Sequence, residues 1–162
     1  MIESVEQVKP QTAFVNILKY WGPPIIWMSV IFYFSTDTFS GDNTGSLLWK
    51  IFSFIYPGIT HEQFDSLHFY IRKAGHFTEY AILALLLSRA FRSGDIARWR
   101  WKWAIRSVLI VVLCALLDEW SQTLTRHRVG SIYDSLTDTS GAVTALALLR
   151  LVKRKSGVTR GD

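Results

Sequence analysis

The residues best equipped for chemistry fall in three short clusters. The first is "RKAGHFTEY", which carries Arg72, Lys73, His76, Glu79 and Tyr80. The second is "DEWSQ", with Asp118, Glu119 and Gln122. The third, "RHRVGSIYDSLTD", supplies Arg126, Arg128, Asp134 and Asp138, and Gly141 follows three residues later. Glu79, Asp118 or Glu119 could act as a general base and His76 as a general acid if their surroundings tune them for it. Paired carboxylates also support glycosyl chemistry. Arg72, Lys73, Tyr80, Gln122, Arg126, Arg128, Asp134 and Asp138 are candidate binding residues. Arginine and lysine hold phosphate or carboxylate through charge-assisted bonds.

Other chemistries are less well served. No GxSxG motif is present, and the single cysteine, Cys114, lies within the apolar run "SVLIVVLCALL". It reads as a small core hydrophobe. The acids and His76 are suitable ligand types for a metal. Yet no close-spaced ligand motif occurs, and Lys73 and Arg128 would oppose a cation, so neither metal nor other cofactor is expected. The competing reading is that the polar residues form a network that fixes helix register without chemistry.

The elements that must position these residues are apolar. The 162-residue chain is 49% hydrophobic and only 19% charged, with seven Trp, six Tyr and ten Phe. Length fits one domain. Four apolar segments stand out, over 20–36, 76–92, 104–124 and 135–152. A membrane helix needs about 20 mostly apolar residues, and only the first segment approaches this without a charge. The others must absorb ionisable residues at one end. Pro23 and Pro24 suit the first turn of the first helix, where a missing N–H is not needed. The N-terminal "MIESVEQVKP" has no basic region beside an apolar run, so no cleavable signal peptide is expected.

Charge placement favours the membrane. Arg89, Arg92, Arg98, Arg100, Lys102 and Arg106 face a single Asp95 between segments two and three. Arg150, Lys153, Arg154, Lys155 and Arg160 crowd the C-terminal tail. Basic excess marks cytoplasmic loops, and four spans with both termini cytoplasmic put both blocks on that side. The alternation "RWRWKW" could serve a nucleic-acid-binding strand. Its apolar neighbours favour an interfacial anchor drawn to anionic lipid instead, so lipids and not nucleic acid are the expected partners. The expected fold is all-α: a polytopic membrane bundle of four transmembrane helices, with short interfacial or amphipathic helices in the first outer loop. Thr60 and Gln63 stand at capping-box spacing and open one of these, with Phe64, Leu67, His68 and Ile71 on its apolar face. His61 and His68 read as surface or interface histidines.

Threading four spans brings the three chemical clusters to the outer end, where charges can face one another rather than lipid. His76, Glu79 and Tyr80 share one helix face, as do Asp118 with Gln122 and Asp134 with Asp138 and Gly141. Arg72 or Lys73 is expected to pair with Glu79, and Arg126 or Arg128 with Asp118, Glu119 or Asp138. Gly141, among Ser140, Ala142, Thr144 and Ala145, would let another helix approach closely.

In this ordered set the chain resembles the VanZ-like family of bacterial integral membrane proteins. The family pattern has Lys and His before Glu or Tyr, then an acid with Gln three or four residues on and an Arg, then Asp, Asn or Asp, and Gly. Lys73, His76, Glu79, Tyr80, Asp118, Glu119, Gln122, Arg128, Asp134, Asp138 and Gly141 match it. Arg126 and Arg128 both compete for the Arg position, and Asp138 stands where the family often has Asn. The family's namesake is linked to resistance against teicoplanin, a glycopeptide that binds cell-wall precursors outside the membrane. The resemblance implies a bacterial cytoplasmic-membrane protein and does not imply resistance; the arginines and lysine of the clusters make the anionic group of an envelope component, lipid-linked or glycan, the expected ligand. The alternative function is a non-catalytic scaffold. A homo-oligomer is compatible with either, and a transporter less so, because four spans leave little room for alternating access.

Overall fold

A computed structural model describes residues 10–36, 41–93, 99–123 and 132–158. They form five helices and, among the described residues, no strand: α1 (Pro10–Phe34), α2 (Gly41–Ile55), α3 (His61–Arg92), α4 (Trp101–Thr123) and α5 (Ile132–Val158). The expected all-α fold is what the chain adopts. Helix α3 is the hub. It packs most extensively on α5, and also touches α1, α2 and α4, while α4 and α5 pack on each other.

Two local expectations are corrected. The short helix opened by Thr60 does not stop before the second apolar segment but continues into it as the 32-residue α3. Its capping box is formed, with Gln63 N–H donating to Thr60 Oγ1 at 3.3 Å and Thr60 N–H to Gln63 Oε1 at 3.1 Å. Nothing between Ile71 and His76 breaks the helix: Gly75 costs about 1 kcal/mol relative to alanine, too little to end so long an element. Pro23 and Pro24 sit inside α1 rather than in its first turn. They remove the amide donors that would reach the carbonyls of Lys19 and Tyr20. The helix nevertheless runs through them, with "AFVNILKYW" forming about two and a half turns upstream.

The long helices have 23 to 32 residues, roughly 35–48 Å at 1.5 Å per residue. Among the described residues, however, no helix is long and apolar enough to cross a membrane. Ionisable residues interrupt each one: Lys19 in α1, Glu79 in α3, Arg106 and Asp118 in α4, Asp138 and Arg150 in α5.

The distribution of side chains between inside and outside is unusual. Asp118, Asp138, Glu119, Ser88, Ser107 and Ser135 are buried beside Tyr80, Leu83, Leu87 and Val111. Meanwhile Leu109, Leu113, Leu116, Leu136, Leu148 and Val152 are exposed. The two ends also differ. One gathers the acids and His76. The other stacks cations on rings: Arg150 over Trp101 at 4.3 Å, Arg100 over Trp103 at 5.1 Å and Arg89 over Tyr20 at 5.7 Å.

Candidate functional site

The candidate site is built on α3. Residues four and three apart on a helix share a face, so His68, Arg72, Gly75, His76 and Glu79 form one stripe along its first half. That stripe lines a cavity of about 300 Å³. Ile31, Phe34 and Ser35 at the end of α1, Thr44 and Leu48 of α2, and Asp118 of α4 complete its wall. A second cavity of about 440 Å³ adjoins it on the α5 side, lined by Phe69, Arg72, Lys73, His76, Tyr133 and Asp134. Arg72 and His76 therefore face both spaces.

Packing fixes these positions. Trp27 of α1 donates its indole N–H to the Glu79 carbonyl oxygen at 2.9 Å, tying α1 to the middle of the stripe. Helix α2 docks on α3 through rings: Trp49 stacks on His61 at 4.0 Å and meets Phe64 edge-on, and Phe64 in turn stacks on His68 within α3. A Cβ added at Gly45 would stand 3.2 Å from the His68 ring, so the two helices meet closely there. Partial burial and the neighbouring Arg72 cation push the His68 imidazole below its ordinary pKa, with Asp65 opposing.

On the far side of α3, Gly141 of α5 lies against the backbone of Phe77. A Cβ at 141 would overlap the Phe77 carbonyl oxygen and come within 3.0 Å of its carbonyl carbon. This close approach brings Asp138 to His76, whose Nδ1 stands 3.4 Å from an Asp138 oxygen. Asp118, Asp138 and Tyr80 have no exposed surface. Among the described residues neither Asp138 oxygen nor the Tyr80 hydroxyl has a well-aligned hydrogen-bond partner.

The comparisons with known proteins now bear on this geometry. The VanZ/LLP1 family model matches residues 21–153. The chain belongs to the VanZ/LLP1 family. No curated protein and no solved structure gives a match. The matched span runs from Trp21 in α1 to Lys153 in α5, and every candidate site residue falls inside it.

In this VanZ/LLP1 chain, Arg72, Lys73, His76, Glu79, Tyr80, Asp118, Glu119, Asp134 and Asp138 all lie at one end of the bundle. Tyr80 points into the core rather than into either cavity. Glu119 is buried and also lines neither. The expected pairing of Lys73 with Glu79 is corrected: the Lys73 ammonium pairs with Asp134 of α5. Glu79 is half-buried against the first cavity instead. Gln122 lies in the last turn of α4. Arg126 and Arg128 lie outside the described residues, and so do their expected pairings with Asp118, Glu119 or Asp138. Among the described residues no group of His, Cys, Asp or Glu is arranged to hold a metal ion.

Sequence reasoning missed three contributors: His68, Ser35 and Thr44. The signal for His68 was present, because it stands four residues before Arg72 and eight before His76. It becomes visible once α3 is read as continuous. Nothing in the sequence brings Ser35 and Thr44 to the cavity, since that depends on how α1 and α2 end against α3.

Proposed function

We propose that this VanZ/LLP1 protein is embedded in the bacterial cytoplasmic membrane by α1, α3, α4 and α5. Both termini lie on the cytoplasmic side, and the cleft at the outer end binds the anionic group of an envelope component, lipid-linked or glycan. The membrane half of the reading is supported by the inverted side-chain distribution, with leucines outside and carboxylates inside. Apolar solvent removes the cost of exposing the first and raises the cost of exposing the second. The excess of basic residues at the end that carries Trp99, Trp101 and Trp103 supports the orientation. Arg106, Asp118, Asp138 and Arg150 lie near helix ends or face neighbouring helices, where such residues are tolerated.

The observation that carries the binding half is the position of Arg72. It lines both adjoining cavities, and among the described residues it forms no ion pair. Apolar walls from Ile31, Phe34, Leu48 and Ile71 surround it. A guanidinium in a half-apolar cleft is a strong site for phosphate or carboxylate.

The test compares binding of a polyprenyl phosphate and of its parent alcohol to the detergent-extracted protein. The phosphate should bind and the alcohol should not, and Arg72→Gln should weaken binding by about tenfold or more. Equal binding of the two probes would remove the proposal.

A second reading, a scaffold whose polar residues only fix helix packing, is favoured by the complete burial of Asp118 and Asp138 and by the contact of Gly141 with Phe77. It expects Arg72→Gln to lower accumulation of the protein and no probe to bind.

A further inference from the structure

At the basic end of the bundle, away from the cleft, a groove of about 550 Å³ runs between α4 and α5. That is within the range of about 300–1,000 Å³ typical of ligand sites. Its floor is small or buried: Ala104, Leu146 and Ala147. Its walls are apolar and open, with Ile105, Leu109, Val143 and Leu151 each at least half exposed. At one end stand Trp99, Trp101, Arg150 and Arg154. Arg150 and Arg154 are one turn apart on one face of α5, and the Arg150 guanidinium lies 4.3 Å over the Trp101 ring. No acidic side chain lines the groove.

We infer that this groove holds one anionic glycerophospholipid, with an acyl chain along the α4–α5 trough and its phosphate on Arg150 and Arg154. The inference rests on the membrane reading above but not on the cleft around Arg72. The chemistry of the two ends selects the occupant. The trough offers an extended hydrocarbon the contacts that Leu109, Val143 and Leu151 lack. The two guanidiniums, with no carboxylate on them among the described residues, demand an anion at one end only. Trp101 beside them suits the boundary between hydrocarbon and headgroup. Basic pockets between membrane helices on the cytoplasmic side are a recurrent form of anionic-lipid recognition. A second copy of the chain would have to bring both an apolar ridge and a carboxylate. Among the other open apolar faces, that of α1 has no acidic residue over Pro10–Phe34.

The experiment uses the full chain reconstituted into phosphatidylcholine vesicles. Flotation with the vesicles comes first, and a chain that does not float overturns the membrane reading and this inference together. Brominated acyl chains then quench tryptophan on contact, carried either by phosphatidylglycerol or by phosphatidylcholine. The wild-type chain should show a preference of about tenfold for brominated phosphatidylglycerol. The pair Arg150→Gln and Arg154→Gln should make the two curves coincide, whereas Arg150→Lys with Arg154→Lys should keep them apart. Ala147→Phe, which fills the trough while leaving both arginines, should abolish the preference too. Coincident curves in the wild type overturn the inference, whether the chain is monomeric or a dimer whose second copy covers the groove. So does a preference that survives both the glutamine pair and Ala147→Phe, since the lipid then binds elsewhere.

Discussion

The Lys73 ammonium on α3 meets the Asp134 carboxylate in the first turn of α5. The pair is about a quarter exposed on each side, and Lys73 also lies 5.3 Å over the Phe69 ring. It borders the cavity that Arg72 and His76 share, so it locks the α3–α5 seam at the mouth of the candidate site. The anion at Asp134 also suits the N-terminus of α5.

Reversing both charges tests that lock. Lys73→Glu and Asp134→Lys should each lower the melting temperature of the purified protein, and the double reversal should recover part of the loss. A partly exposed pair couples by about 0.5–1 kcal/mol, so the recovery should be of that size. The reversal of Lys73 with Glu79 should recover nothing. Recovery there, and none with Asp134, would show that the α3–α5 pairing is not the one the protein uses.

The contrast between these two pairings marks where sequence reasoning reaches and where it stops. His76, Glu79 and Tyr80 could be placed on one face because helical periodicity fixes their relative directions. The partner of Lys73 depends on how α5 is rotated against α3, which no spacing within α3 contains. The four apolar segments were legible because long runs such as "VLIVVLCALL" have few other uses. The ends were not. Helix α1 begins at Pro10, well before the apolar run, because nothing in "QTAFVNILK" opposes a helix. The prolines misled because their preference for a first turn is an average, overridden here by the packed helix on both sides. Buried Pro24 and the Trp27 bond to Glu79 are both part of that packing.

Gly141 offers a sharper test of packing. Alanine is ordinarily worth about 1 kcal/mol over glycine in a helix. At 141 the added methyl would meet the Phe77 backbone, which cannot swing aside like a side chain. Overpacking of this kind costs about 1–3 kcal/mol and sometimes more. Gly141→Ala should therefore lower the melting temperature, and Gly141→Leu should abolish accumulation. An unchanged or raised melting temperature for Gly141→Ala would mean that α5 and α3 do not touch here.

Asp138 separates charge from shape. Its carboxylate is fully buried, and His76 Nδ1 stands 3.4 Å from one of its oxygens. A buried carboxylate without good partners is costly, and an amide of the same shape removes that cost while keeping an acceptor for His76. Asp138→Asn should therefore leave accumulation intact and shift stability by under about 1 kcal/mol. Asp138→Leu, which leaves His76 without an acceptor, should cost about 1–3 kcal/mol. If Asn proves as damaging as Leu, the carboxylate is held as one half of an ion pair with a charged His76.

The proposed orientation in the membrane can be tested at the two ends directly. Lys50 is exposed on α2, at the end of the bundle that carries the cleft. Lys102 is exposed in the first turn of α4, between Trp101 and Trp103 at the basic end. In a Cys114→Ser background, which removes the one native thiol, Lys50→Cys should react with a membrane-impermeant maleimide on intact cells. Lys102→Cys should react only after the cells are opened. The physical reason is the asymmetry of charge: arginines flank Lys102 at 100 and 106, and a basic segment of this kind is retained on the cytoplasmic side. The opposite labelling pattern would invert the protein and put the cleft around Arg72 on the cytoplasmic side, away from any envelope component. Equal labelling of both positions in a detergent-free soluble fraction would mean that the exposed leucines of α4 and α5 are covered by protein and not by lipid.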